Sequence, residues 1–321
     1  ALWLTAKNAS LATDATTTLK LYAKWEEKQK VSFTLNPNGG SYGTAGTGVT
    51  TVNGILNGGS YTIPTNVTNP TRTGWNFVGW NSNAAGTGTD YNPGHEFTNL
   101  TSSTTIYAKW EAANVTFTFD KGATTGITAP LGDPYTMPAR YNANITIPAG
   151  STVYTRTGFD FASWAYANAS GANTTTTGGP ISVSAFKITW SGNSFDNSLT
   201  GTVTLTANWT PYTFKIVWNG NGGTPSSTTT SNHQSTGKTT LPTGNSVPTR
   251  VGYSFTGWNT ASDGSGKTIT NDTIVGSTWD LTGNTGDAPL NAYAQWKENI
   301  VTIYFTGHTD KNNAPTANVA Y

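Results

Sequence analysis

Apolar and polar side chains alternate with a period of two in short runs along this chain. Val31, Phe33 and Leu35 share one face of such a run, and the pattern returns at Val115-Thr116-Phe117-Thr118-Phe119, Phe214-Lys215-Ile216-Val217-Trp218 and Val301-Thr302-Ile303-Tyr304-Phe305. Strict alternation marks a half-buried β-strand. A second set of runs reads Leu21-Tyr22-Ala23-Lys24-Trp25, Ile106-Tyr107-Ala108-Lys109-Trp110, Leu205-Thr206-Ala207-Asn208-Trp209 and Ala292-Tyr293-Ala294-Gln295-Trp296. Alanine and Trp lie on its inner face, while a position that accepts Lys24, Lys109, Asn208 or Gln295 belongs to solvent. Between these lies a third signature, Thr71-Arg72-Thr73-Gly74-Trp75-Asn76-Phe77-Val78-Gly79-Trp80. It recurs from Thr155 to Trp164 and from Thr249 to Trp258. Trp75 and Phe77 share a face but Trp80 falls on the other, so a bulge at Gly79, Ser163 and Gly257 is expected to bring the Trp back to the core. Asn38-Gly39-Gly40 and Asn221-Gly222-Gly223 read as turns after opening strands. No window sustains a long amphipathic helix, and one short helix per repeat is the most that fits.

The three signatures keep a constant order, which makes the chain a repeat array. From Trp25 to Trp110 is 85 residues, to Trp209 a further 99, and to Trp296 a further 87. Full repeats are therefore expected at 28–112, 113–211 and 212–298, with 1–27 the tail of an earlier repeat and 299–321 the head of a later one. The joints, such as Glu111-Ala112-Ala113-Asn114 and Thr210-Pro211-Tyr212, are short and polar, so they restrict the angle between neighbours. The second repeat carries extra sequence between Trp164 and Trp209. There Ala167 to Pro180, rich in Ala, Asn, Gly and Thr, is expected to form an enlarged surface loop.

Composition narrows the class. Charged residues are 10% of the chain and aromatics 12%, with 12 Trp, 14 Tyr and 12 Phe. That is too aromatic for disorder and too poorly charged for a solvated tail. Threonine is about a fifth of the sequence, which suits pleated surfaces. The 17 basic and 16 acidic residues leave a net charge of +1 with no basic stripe, so nucleic acid is excluded as a partner. No apolar run approaches 18 residues, so no helical membrane span is expected. There is no initiator Met and no signal-peptide pattern at the start, so residue 1 is expected to be a processed or cut end. The absence of Cys removes disulfides and thiolate metal sites.

Pro248 to Trp258 and Ile106 to Trp110 carry a Pro-Thr-Arg-x-Gly-Tyr-x-Phe-x-Gly-Trp motif and a Tyr-Ala-x-Trp strand. On these residues the chain resembles the Listeria–Bacteroides repeat, or internalin B-repeat, family. The second repeat departs from the pattern, with Tyr154 in place of Pro and Ser163 in place of Gly, and Ala292 replaces the usual Leu in the third. The resemblance implies small β-grasp-like units strung along a bacterial surface protein, serving as modular spacers. The fold class expected is thus mainly β, a tandem beads-on-a-string array of β-grasp-like α+β units repeating every 85–99 residues.

Candidate chemistry is sparse. Ser265-Gly266-Lys267-Thr268 and Ser235-Thr236-Gly237-Lys238-Thr239 suggest a phosphate loop, but Ala261 and Asn232 stand where its first Gly belongs. His95, His233 and His308 occupy unrelated positions without metal spacing or a nucleophile, and surface loops are their expected place. Asp90 with Glu96, and Asp263 with Asp272, sit in glycine-rich turns that do not recur. No catalytic, cofactor-binding or metal-ligating set is expected, and the chain is not read as an enzyme. Arg72, Arg156 and Arg250 recur before a Gly turn; the choice lies between a row for anionic polymers and a structural role against carbonyls or an aromatic face, and recurrence favours the second. Trp25, Trp110, Trp209, Trp296, Trp80, Trp164, Trp258, Phe77, Phe161 and Phe255 are expected to form the cores. Trp3, Trp190 and Trp279 lie outside the signatures and are the candidate ligand contacts.

These readings point to an extracellular structural repeat protein of a bacterial surface: a stalk, adhesin spacer or fibre subunit. Val301, Ile303 and Phe305 form a candidate assembly strand, lone and open to strand addition from another copy. Copies of itself, or neighbouring repeats, are the expected partners. The alternative is a carbohydrate-binding adhesin module that meets surface glycans through exposed Trp.

Overall fold

The computed structural model describes residues 24, 26–42, 50–65, 70–192, 197–303 and 319–320. Trp3, Trp25, Phe305 and His308 lie outside the described residues. Each repeat builds one mixed sheet with the same strand order. In the first repeat the opening strand Lys30–Asn36 lies between the antiparallel second strand Thr50–Leu56 and the parallel closing strand Thr104–Ala112; the middle strand Trp75–Asn81 flanks the closing strand. The third repeat matches it with Thr213–Asn219, Ser227–Gln234, Leu290–Glu298 and Tyr253–Asn259. In the second repeat, Asn114–Asp120, Tyr135–Arg140, Thr200–Pro211 and Phe159–Ala167 take these roles within an eight-stranded sheet. Two parallel central strands with antiparallel flanks are consistent with a β-grasp-like arrangement. The crossover holds only a single helical turn, Gly150–Val153 or Val275–Thr278, since these Gly/Ser/Thr segments lack the apolar stripe that stabilises a longer helix.

Alternation sets the cores. Phe33, Leu35, Ile106 and Ala108 are buried in the first repeat, Phe117, Phe119, Val203, Leu205 and Ala207 in the second, and Ile216, Trp218, Ala292 and Ala294 in the third. The register of the middle strand slips between Phe161 and Ser163 and again between Phe255 and Gly257, where Gly257 takes φ +142°. These bulges turn Trp164 and Trp258 inward, and both are buried, as is Trp80. Phe77 is buried, but Phe161 and Phe255 are half-buried.

Three expectations are corrected. The insertion in the second repeat is not a loop. Asn173–Thr176 pairs back onto the middle strand, from Trp164 opposite Thr176 to Ala167 opposite Asn173, and Gly179–Ser182 pairs with Asn144–Ile147. Consecutive threonines favour extended backbone, and the Asn168 side-chain Oδ1 closes the hairpin by accepting from the Ser170 and Ala172 N–H groups. His233 is not a surface-loop residue: it is buried, with Nε2 2.8 Å from the Thr230 hydroxyl. Nor is the assembly strand lone, because Thr302–Ile303 pairs with Val319–Ala320.

By packing, the described residues fall into two compact units. One takes those up to Thr71 together with Val78–Lys109; the other takes Arg72–Phe77 and those from Trp110 onward, so it contains the second and third repeats.

Candidate functional site: the joint between repeats

The Arg-x-Gly-aromatic signature folds as a tight turn. The Trp75 N–H returns to the Arg72 carbonyl at 3.0 Å, and Tyr253 to Arg250 at 3.1 Å; Arg156 pairs with Phe159 in the same way. The third residue must adopt positive φ, and Gly74, Gly158 and Gly252 do so at +79°, +81° and +80°. The turn brings the Arg over the aromatic residue three positions on. The guanidinium carbon stands 4.4 Å from the Trp75 ring centroid, 3.6 Å from Phe159 and 3.8 Å from Tyr253. All three Arg side chains are thus committed within their own turns.

What the turn leaves free is the carbonyl of its Gly, and one joint residue takes it each time. The N–H groups of Ala113, Tyr212 and Asn299 donate to Gly74, Gly158 and Gly252 at 2.9 Å each. The carbonyl of the same joint residue then accepts from the residue that follows the second strand of the next repeat: Tyr141 to Ala113 at 3.0 Å and Ser235 to Tyr212 at 2.9 Å. Within the first repeat, Asn57 donates to Gln29 likewise at 2.8 Å. A closing strand therefore passes to the next opening strand through a single residue, with both its backbone groups bonded. The joints are not solvated linkers: Ala113 is fully buried and Tyr212 half-buried.

Side chains of the following repeat cover the Gly. A Cβ on Gly74 would fall 2.3 Å from the Tyr141 ring; one on Gly158 would meet Leu281 at 3.1 Å and Ser235 at 3.2 Å; one on Gly252 would meet nothing within 4 Å among the described residues. The Asn76 amide adds a two-way bond with the Leu199 backbone, accepting at 3.0 Å and donating at 3.2 Å. Beside Gly252, Val251, Ile300 and Val301 are exposed.

The closing-strand tryptophans lie next to the joints and are half-buried, Trp209 and Trp296 packing against the cores of their repeats. Trp110, Trp209 and Trp296 meet Phe77, Phe161 and Phe255 edge to face at 5.8, 5.8 and 5.7 Å. The Trp209 indole N–H donates to Lys121, and that of Trp296 is shared by Gly220 and Asn221. Sequence reading missed the asparagines that hold these turns. Asn38 and Asn221 sit at φ +48° and +47°, and their amides donate to the closing-strand carbonyls of Ala108 and Ala294, both at 2.9 Å. In the second repeat Gly122 stands there instead, its backbone so near that a Cβ would fall 2.0 Å from the Ala207 oxygen. Their common offset from the opening strand is the signal that could have found them. Asn81 and Asn259 are buried and organise the loops after the middle strands.

Those loops use up the candidate chemistry. The amides of Ala261, Ser265 and Lys267 are bonded to Asn259, Asp263 and Thr260 side chains, so none is free to cradle a phosphate. In the other phosphate-loop candidate, the Ser235, Gly237 and Thr239 amides donate to backbone carbonyls. Lys109 at 2.6 Å, with the Asn81 amide, holds the Asp90 carboxyl below its ordinary range; Ser265 does so for Asp263 and Lys238 for Asp272. His95 packs on Tyr91 and Phe97. Among the described residues no group of three or more His, Cys, Asp or Glu side chains converges for a metal. The candidate ligand contacts Trp190 and Trp279 are half-buried: Trp190 meets Tyr141 edge to face at 5.5 Å, and the Trp279 indole donates to Asn291. No helix among the described residues is long and apolar enough to cross a membrane.

Comparison with known proteins finds the Listeria-Bacteroides repeat domain at residues 30–109, 114–189 and 214–282. A protein of Evansella cellulosilytica named as a Gly-rich membrane protein is 43% identical over 67 residues, 21% of this chain and 7% of that protein. The aligned stretch is a small part of that relative.

Proposed function

From the premise that this chain belongs to the Listeria–Bacteroides repeat family, of which it holds three tandem copies, we propose that it is a non-enzymatic structural protein of a bacterial cell surface, outside the cell, acting as a stalk, spacer or fibre subunit. One observation carries this reading. The joint at Tyr212 is a single residue fixed by a pair of backbone hydrogen bonds, an arrangement suited to setting the third repeat's orientation from the second. Supporting it, Asp90, Asp263, Asp272 and His233 are each bonded within their own loops, ion pairs or strands. The Gly252 turn, which no described side chain covers, lies beside exposed Val251, Ile300 and Val301, a surface suited to head-to-tail contact with a second copy.

The chain has no Cys, so paired spin labels can be introduced cleanly. With labels at Thr175→Cys and Ser265→Cys, a spacer of this kind gives one narrow distance distribution across the second joint. A broad distribution, as from a flexible tether, overturns the reading. For self-association, sedimentation of the intact chain should show concentration-dependent growth that Val301→Asp reduces.

A further inference from the structure

An Asn-Gly peptide carries its own reactants. With no Cβ beside it, the Gly nitrogen can reach the Asn side-chain carbonyl carbon, provided that its N–H is free and the side chain can turn to meet it. The chain has five such peptides, at Asn38, Asn53, Asn57, Asn219 and Asn221. Four of them are held. The Asn38 side-chain amide donates to Ala84 at 2.8 Å and to Ala108 at 2.9 Å, and that of Asn221 donates to Ser262 at 2.7 Å and to Ala294 at 2.9 Å. At Asn57 and Asn219 the nucleophile itself is engaged: the Gly58 N–H donates to Leu100 and the Gly220 N–H to Ser226, both at 2.7 Å. Asn219 Oδ1 also accepts from the Asn221 N–H at 2.8 Å. Reaction at any of these four must first break a bond that the fold supplies.

Asn53-Gly54 differs from them all. It lies in the second strand of the first repeat, Thr50–Leu56, the edge strand of its sheet. The register passes from Val31 opposite Ile55 to Phe33 opposite Val52, so Asn53 and Gly54 form a bulge and neither has a ladder partner. Both residues are exposed, and Gly54 takes φ +79°. A Cβ on Gly54 would meet nothing within 4 Å, and no hydrogen bond holds the Asn53 side chain, among the described residues. We propose that Asn53 is this protein's site of spontaneous deamidation. The Gly54 nitrogen bonds to the Asn53 side-chain carbonyl carbon, and its proton leaves with the side-chain NH2 as ammonia. Water then opens the cyclic imide at either carbonyl, giving aspartate or isoaspartate with no other reactant. Because the bulge already interrupts the ladder, the longer isoaspartyl backbone displaces no paired residue. The product sets a carboxylate on an edge strand that otherwise holds no charge, which opposes edge-to-edge pairing with another chain.

The test is peptide mapping by mass spectrometry after incubation of the full chain at mildly alkaline pH, once native and once in urea. Labelling with an isoaspartyl methyltransferase identifies the isoaspartyl product. In the native chain Asn53 should convert at least about tenfold faster than each of the other four. In urea, where the bonds that hold those four are gone, the five rates should converge. Asn53→Gln should remove the native product and leave the urea rates of the other four unchanged. A native rate at any held site equal to that at Asn53 overturns the proposal, as does an Asn53 that stays intact in the native chain while urea releases all five. A lead for Asn53 that persists undiminished in urea would trace its cause to sequence alone and overturn the structural assignment.

Discussion

Glycine at the third position of the Arg turn has two separable duties: it accepts positive φ, and it lets the next repeat approach. The three repeats divide these duties, because φ is near +80° at Gly74, Gly158 and Gly252 while their surroundings differ. An L-residue in that region costs about 1–2 kcal/mol from backbone strain alone. Gly252→Ala should lose no more than that, since its Cβ meets no described residue within 4 Å. Gly158→Ala should lose more, because Leu281 and Ser235 must give way, and Gly74→Ala most, because the Tyr141 ring would have to leave. Urea denaturation followed by Trp fluorescence ranks the three; equal losses would mean that the covering side chains contribute nothing. Asn221 offers a similar separation. Asn221→Ala should cost about 2–3 kcal/mol, combining strain at φ +47° with two carbonyls left without their amide donors. Asn221→Gly should fall between, since it relieves the strain but not the lost bonds.

At the level of strands and loops, the chemistry of one buried group shows in pH. His233 lies one residue before the end of the second strand of the third repeat, and burial pushes its imidazole below the ordinary range, with the Lys238 backbone partly opposing. The native state therefore resists a proton that the unfolded chain accepts. Stability should be level above about pH 6.5, fall as pH drops through the ordinary imidazole range, and level off below the depressed native value. Comparing urea midpoints at neutral and mildly acidic pH checks this, and His233→Gln should flatten the difference. Opening, middle and closing strands, and the bulge that rotates Trp164 and Trp258 inward, were legible because period two and a misplaced Trp leave marks in the sequence. The Thr-rich hairpin after Ala167 was not, because Asn, Gly and Thr serve loops and hairpins alike until the pairing partner is known. The asparagine clamps were hidden for another reason: Asn38 and Ala108 are 70 residues apart, and only a shared offset from the opening strands marks the position.

Across the whole chain, the joints determine how far a disturbance travels. Stability in a repeat array is the sum of what each repeat holds and what neighbours share. The second and third repeats have separate buried clusters, one around Phe117, Trp164 and Leu205 and one around Ile216, Trp258 and Ala292, yet they lie in one compact unit. Their shared term runs through Tyr212, whose N–H is held by Gly158 in one repeat and whose carbonyl is held by Ser235 in the next. A change at Gly158 loosens both bonds, whereas the same change at Gly252 touches a turn that no described repeat covers. Hydrogen exchange on the intact chain distinguishes the two cases. Gly158→Ala should speed exchange in the central strands of both the second and the third repeat, and Gly252→Ala should speed it in the third alone. If the effect of Gly158→Ala stopped at Pro211, the joint would be a tether between independent folds, and the orientation of each repeat would have to be set by something other than its backbone.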